Sequence, residues 1–192
     1  MDRLSALTLV ALLACGKGDE PAPPPSRVEG AKTSAPKKAD TEAFCDFHAA
    51  DDKGPALAFP PLAGGAQAPA VGQGHWRWLN VWATWCKPCV EEMPRIAKWR
   101  EKLGSKIDLA FVSVDEKDDD IAGFRNAHAN APESVRLADP AKQTDWFKQL
   151  GLDAGSPIPI HVFVSPAGHI RCARAGGVRE ADFPAIERLL AE

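Results

Sequence analysis

The chain has 192 residues, 45% of them hydrophobic and 26% charged, with a formal net charge of −3. That length suits one globular domain with an extension, and the mild negative balance excludes the basic footprint of a nucleic-acid-binding surface. Five cysteines are many for a reducing compartment and few for a disulfide scaffold, so each needs its own role.

The first fifteen residues, "MDRLSALTLVALLAC", place Arg3 before an apolar run over 4–14. That run is too short to span a bilayer and reads as an export signal over residues 1–14. Its end, "LLAC", resembles the bacterial lipobox, with Leu12 at −3, Ala14 at −1 and then Cys15. The resemblance implies that Cys15 is lipidated, becomes the first mature residue and anchors the protein to a membrane. Gly16, in place of aspartate after the cysteine, favours the outer membrane over the inner. Residues 15–43 then form a tether. It holds "PAPPP", near-balanced charge and too few large apolar residues to bury a core, so an extended, disordered linker is expected.

The folded domain is expected over 44–192. "AFCDFHA" and "PALAFPPL" read as two short strands around the turn "DDKG", an N-terminal β-hairpin. "WRWLNVWAT" (76–84) is an apolar run of strand length without helical period. A helix follows from the cysteines to Leu103, where Gly104 stops it. "IDLAFVSVD" is a buried strand. "DDDIAGFRNAHA" is a helix with Asp118, Asp119 and Asp120 at its positive end. "SVRLA" is a short strand, and "KQTDWFKQLGL" a helix ending at Gly151. "IHVFVS", the turn "PAGH" and "IRCARA" make a late hairpin, and "READFPAIERLLAE" is a closing amphipathic helix. The order predicts an α/β fold: a central mixed sheet with helices on both faces. Its switch point is the C-terminal end of the 76–84 strand.

The cysteine pair follows that point directly, in "WATWCKPCVEEMP". C-x-x-C on the first turn of a helix puts both sulfurs on one face. The helix N-terminus favours a thiolate at Cys86, and Lys87 adds a positive charge beside it. Pro88 costs little in a first turn. Cys86 is then the attacking thiolate of thiol–disulfide exchange, and Cys89, one turn deeper, resolves the mixed disulfide. Structural zinc would need two further ligands at metal spacing. Cys45 and Cys172 are single, and the histidines are scattered.

"NVWATWCKPCVEEMP" resembles the TlpA/ResA branch of the thioredoxin superfamily, and "SPIPIHVFVSPAGHI" is similar to that branch's second hallmark, a cis-proline loop followed by a strand and a turn. The resemblance covers 44–192 and implies a thioredoxin-like fold with Cys86 and Cys89 as the redox pair. It makes Pro94 a helix-kinking proline and Pro159, rather than Pro157, the cis-proline. Trp85, Lys87, Pro88 and Pro159 are expected to line the substrate's path. Thioredoxins carry a buried aspartate where Asn80 stands. In the TlpA/ResA branch a glutamate three residues after the second cysteine takes part of its role, here Glu92. It would take the proton of Cys89, while Glu91 stays a solvated charge. His161 follows the cis-proline where threonine is common, and could be a core residue, a tuner of the thiols or a metal ligand. Some members bridge the N-terminal segment to the late strand, which here would join Cys45 to Cys172. Otherwise these two are unrelated buried thiols.

The implied activity is that of an extracytoplasmic, envelope-anchored, periplasm-facing thiol–disulfide oxidoreductase without cofactor or metal. It would reduce disulfides of specific protein partners, such as apocytochrome c or copper-site assembly proteins, and draw electrons from a membrane thiol donor. The alternative is a copper-binding, chaperone-like thioredoxin-fold module. Copper-delivering relatives space their cysteines C-x-x-x-C, which this chain does not. A peroxidatic loop would want Thr-x-x-Cys, and "TWC" (84–86) is one residue short.

Overall fold

The computed structural model describes residues 41–192. The signal over 1–14, Cys15 and the tether up to residue 40 lie outside the described residues.

A single six-stranded sheet organises the domain, in the order β1-β6-β5-β2-β3-β4. The strands are β1 (Phe47–His48), β2 (Trp76–Trp82), β3 (Ile107–Ser113), β4 (Ser134–Arg136), β5 (Ile160–Val164) and β6 (Ile170–Ala175). β2, β3 and β4 are mutually parallel, while β5, β6 and β1 pair antiparallel. The helices are α1 (Thr41–Phe44), α2 (Lys87–Leu103), α3 (Asp118–Ala127), α4 (Gln143–Gln149) and α5 (Phe183–Leu189). This is the mixed α/β architecture expected from the sequence. Among the described residues no helix is long and apolar enough to cross a membrane.

β2 is central and buried along both of its faces. Trp78, Leu79, Val81 and Trp82 are fully buried, which is why the strand reads as an unbroken apolar run rather than an alternation. On one face Trp78 packs against Trp99 of α2 and Phe163 of β5. Trp82 meets Phe124 of α3 edge-on and donates its indole N–H to Ser134 Oγ. Trp99 in turn meets Phe183 of α5. Right-handed crossovers from β2 to β3 to β4 put α2 and α3 on one side of the sheet. The other side is left to α4, whose Trp146 donates to the Ala58 carbonyl at 2.9 Å.

The expected N-terminal hairpin does not form. β1 pairs with β6, Phe47 opposite Ala173 and His48 opposite Cys172. The "PALAFPPL" segment contributes only isolated bridges, Ala56 to His169 and Leu62 to Leu137. Gly54 shows the reason. A Cβ there would collide with the Ile170 carbonyl oxygen, and the next residue's carbonyl accepts the Ile170 N–H at 2.8 Å, so the chain passes flat against β6. Thr41–Phe44, at the end of the expected tether, is a helical turn whose Phe44 packs on Phe163. The last two helices are also shorter than the sequence pattern: α4 ends at Gln149, before the turn at Gly151, and α5 begins only after a 3-10 turn over Glu180–Asp182.

Candidate active site

The site grows from the C-terminal end of β2. The chain leaves the sheet at Ala83 and turns through Thr84. Asp115, buried just beyond β3, fixes this turn by accepting the Thr84 backbone N–H at 3.0 Å and its hydroxyl at 2.8 Å. Ser113 Oγ donates to the same carboxylate at 2.6 Å. The turn delivers Cys86 as the N-cap of α2, where its sulfur accepts the backbone N–H of Cys89 at 3.3 Å. That contact places Cys86 Sγ at the positive end of a seventeen-residue helix, the setting that stabilises a thiolate.

Cys86 and Cys89 are joined, with sulfurs 2.01 Å apart. Cys86 keeps 5% of its surface exposed and Cys89 none, so the first sulfur alone is open to a partner. Pro88 sits in the first turn and Pro94 inside the helix, which runs to Leu103 and stops at Gly104 with φ +60°. Lys87 reaches Glu91 at 3.6 Å on the open surface. Its charge is therefore shared with that carboxylate rather than committed to Cys86.

Across from the cysteines the Ile158–Pro159 bond is cis. The Ile158 carbonyl oxygen lies 3.7 Å from Cys86 Sγ, and the Pro159 carbonyl is held by the Gly176 N–H at 2.8 Å. Between them opens a groove of about 660 Å³, lined by Trp85, Pro88, Phe147, Pro157 and Ile158 among others. Trp85 is 69% exposed, the one large hydrophobic side chain so open among the described residues. Trp85, Lys87 and Pro88 thus lie on the groove, whereas Pro159 is buried behind it.

One turn deeper than Cys89, Glu92 is 98% shielded from solvent. Its Oε1 accepts from Asn80 Nδ2 at 2.9 Å, and its Oε2 from the Val178 N–H at 2.9 Å. These donors compensate the burial of a carboxylate. Glu91, its neighbour, is exposed. His161 is fully buried and pairs with Asn80 across β5 and β2. Its Nδ1 accepts the Trp78 indole N–H at 3.1 Å, and its Nε2 faces Glu92 Oε1 at 3.3 Å. That last pair is close but not aligned as a hydrogen bond, so Nε2, like Asn80 Oδ1, has no hydrogen-bond partner. Among the described residues no three His, Cys, Asp or Glu side chains cluster as a metal would require.

Cys45 and Cys172 are joined at 1.99 Å, tying the segment before β1 to β6. The Val178 and Trp78 partners of Glu92 and His161 were not foreseen from sequence. They come from positions 86 and 83 residues away, and no local pattern marks them.

The sheet order, the cysteine pair at a helix N-terminus and the cis-proline facing it define a thioredoxin-like protein. The chain belongs to the AhpC/TSA family, whose family model matches residues 50–173. It is 32% identical over 139 residues to the thiol:disulfide interchange protein HelX of Rhodobacter capsulatus, covering 68% of this chain and 70% of HelX. It is 27% identical over 99 residues to the thiol-disulfide oxidoreductase ResA of Bacillus thuringiensis, covering 51% of this chain and 53% of ResA. The chain thus spans about half the length of ResA, and 31% of the thioredoxin-like protein YneN of Bacillus subtilis. Among solved structures, a thioredoxin-related protein of Neisseria meningitidis superposes with a TM-score of 0.53 at 24% identity, over 69% of this chain and 98% of that one. At that identity the likeness is one of fold.

Proposed function

We propose that the protein is an extracytoplasmic thiol–disulfide oxidoreductase that reduces disulfides of partner proteins through Cys86 and Cys89. The observation that carries this reading is the asymmetry of the pair: a rim sulfur at the helix N-terminus, and a buried one backed by a buried carboxylate. In the reduced protein the Cys86 thiolate attacks a substrate disulfide and expels one substrate thiolate, which takes up a proton. Cys89 then gives its proton to Glu92, and its sulfur attacks Cys86. The second substrate thiolate leaves and the Cys86–Cys89 disulfide closes. Two electrons pass from the protein dithiol to the substrate, and a thiol donor at the membrane returns them.

The groove beside Cys86 supports a protein substrate. Trp85 and Pro88 offer apolar contact, and the Ile158 backbone is available to an extended strand. Partners such as apocytochrome c or copper-site assembly proteins fit this reading. The pairing of Cys45 with Cys172 suits an oxidising compartment. The "LLAC" motif supports lipidation at Cys15 and an envelope location, with residues 1–14 removed and 15–43 as tether. An unmodified mature N-terminus in intact-mass measurement would count against the anchor.

The proton step separates two neighbouring carboxylates. Glu92→Gln should slow reduction of a model disulfide by roughly 100-fold, the lower range for loss of a general acid–base group. It should also move the pH profile of thiol alkylation at the reduced Cys86–Cys89 pair. Glu91→Gln, on the solvated side of α2, should leave both near the native curve. Equal behaviour of the two variants would remove Glu92 from the mechanism.

A further inference from the structure

Buried polar atoms almost always find partners, so the exceptions in a folded core call for a cause. Two such atoms, His161 Nε2 and Asn80 Oδ1, belong to residues that both touch Glu92, one turn along α2 from Cys89. We propose that His161 is a positioning residue for the proton step: its neutral ring presents Nε2–H to Glu92 and holds that carboxylate ready for the proton of Cys89. This rests on the oxidoreductase reading above and adds a residue to it.

The ring's tautomer follows from Trp78. An indole nitrogen can only donate, so His161 Nδ1 must accept and carries no proton. The proton of the neutral ring then sits on Nε2, 3.3 Å from Glu92 Oε1. Protonating the ring at Nδ1 as well would break the Trp78 bond inside a fully buried site, so His161 serves as a donor and not as the base. Cys89 lies one turn before Glu92 on the same helix. Other charges near the cluster are engaged elsewhere. Arg95 donates to the Val178 carbonyl at 2.7 Å and pairs with Glu180. Arg174, opposite His161 on β6, donates to the Phe44 carbonyl and reaches Asp182 at 4.0 Å.

The test compares native protein, His161→Leu and His161→Gln for the rate of model-disulfide reduction and the pH profile of thiol alkylation at the reduced Cys86–Cys89 pair. A hydrogen bond to a charged group supports a loss of about tenfold or more in His161→Leu, with a shifted profile. Glutamine can give an N–H to Glu92 and an acceptor to Trp78 but cannot titrate. His161→Gln should therefore recover to within about threefold of native, with the native profile. A native-like His161→Leu overturns the proposal. So does a His161→Gln that is as impaired as His161→Leu with the profile of Glu92→Gln, because the ring would then be the base. Nitrogen NMR of the native imidazole gives an independent reading if the leucine variant does not fold. Nδ1 should be bare and Nε2 protonated in both redox states, and an imidazolium or the other tautomer would overturn the proposal. If native protein reduces no disulfide, the function reading fails, while the NMR result still decides the ring's role.

Discussion

Cys86→Ser should abolish disulfide reduction, whereas Cys89→Ser should leave a protein that reacts once and stops. The difference follows from burial. Cys86 keeps an open edge at the rim of the groove, and Cys89 has none. Without Cys86 no sulfur reaches a substrate. Without Cys89 the mixed disulfide forms at Cys86 and persists, because no thiol stands behind it to displace the partner. Intact-mass measurement after incubation with a disulfide peptide should show one adduct per chain of Cys89→Ser and none of Cys86→Ser. Adducts on both variants would mean that the two sulfurs are equally open, against the geometry.

Removing the other bridge should cost stability instead of chemistry. Cys45 and Cys172 are 127 residues apart, so their bond closes most of the domain into a loop. The chain-entropy model puts such a closure at about 5 kcal/mol. For a domain of this size that corresponds to a fall in Tm of roughly 10–20 °C. The bridge also holds β1, a two-residue edge strand with little pairing of its own, against β6. Cys45→Ala with Cys172→Ala should therefore unfold at lower temperature and keep its disulfide-reducing activity at 25 °C. A Tm within a few degrees of native would show that β1 and the segment before it add little to the fold.

The parts of the fold that sequence made legible are those specified locally. β2 is shielded on both faces, so its apolar run marked it. α2 begins at a cysteine cap and ends at a glycine with φ +60°, both visible in one dimension. The proline in cis is the one named from the motif register. The N-terminal hairpin was misread because strand propensity does not name a partner. Phe47 and His48 are extended as expected, but the close pass of Gly54 over Ile170 assigns them to β6. At the site, Glu92 was visible as a helical neighbour of Cys89. Its cradle was not, since Val178 follows β6 and His161 lies in β5. Such contacts exist only once the sheet is assembled: Asn80 and His161 each lay in a stretch the two motifs covered, but nothing in either stretch joined them to Glu92.

The central claim is that Cys86 and Cys89 form one reversible two-electron couple within an otherwise fixed fold. Equilibration of native protein across a series of dithiothreitol ratios, with alkylation and peptide mapping, tests it directly. Cys86 and Cys89 should open together in a single two-electron transition and close again on reoxidation. The midpoint should be more reducing than the glutathione couple, while Cys45–Cys172 remains intact. A pair that opens only when the protein unfolds, or only after Cys45–Cys172 has been reduced, would contradict it.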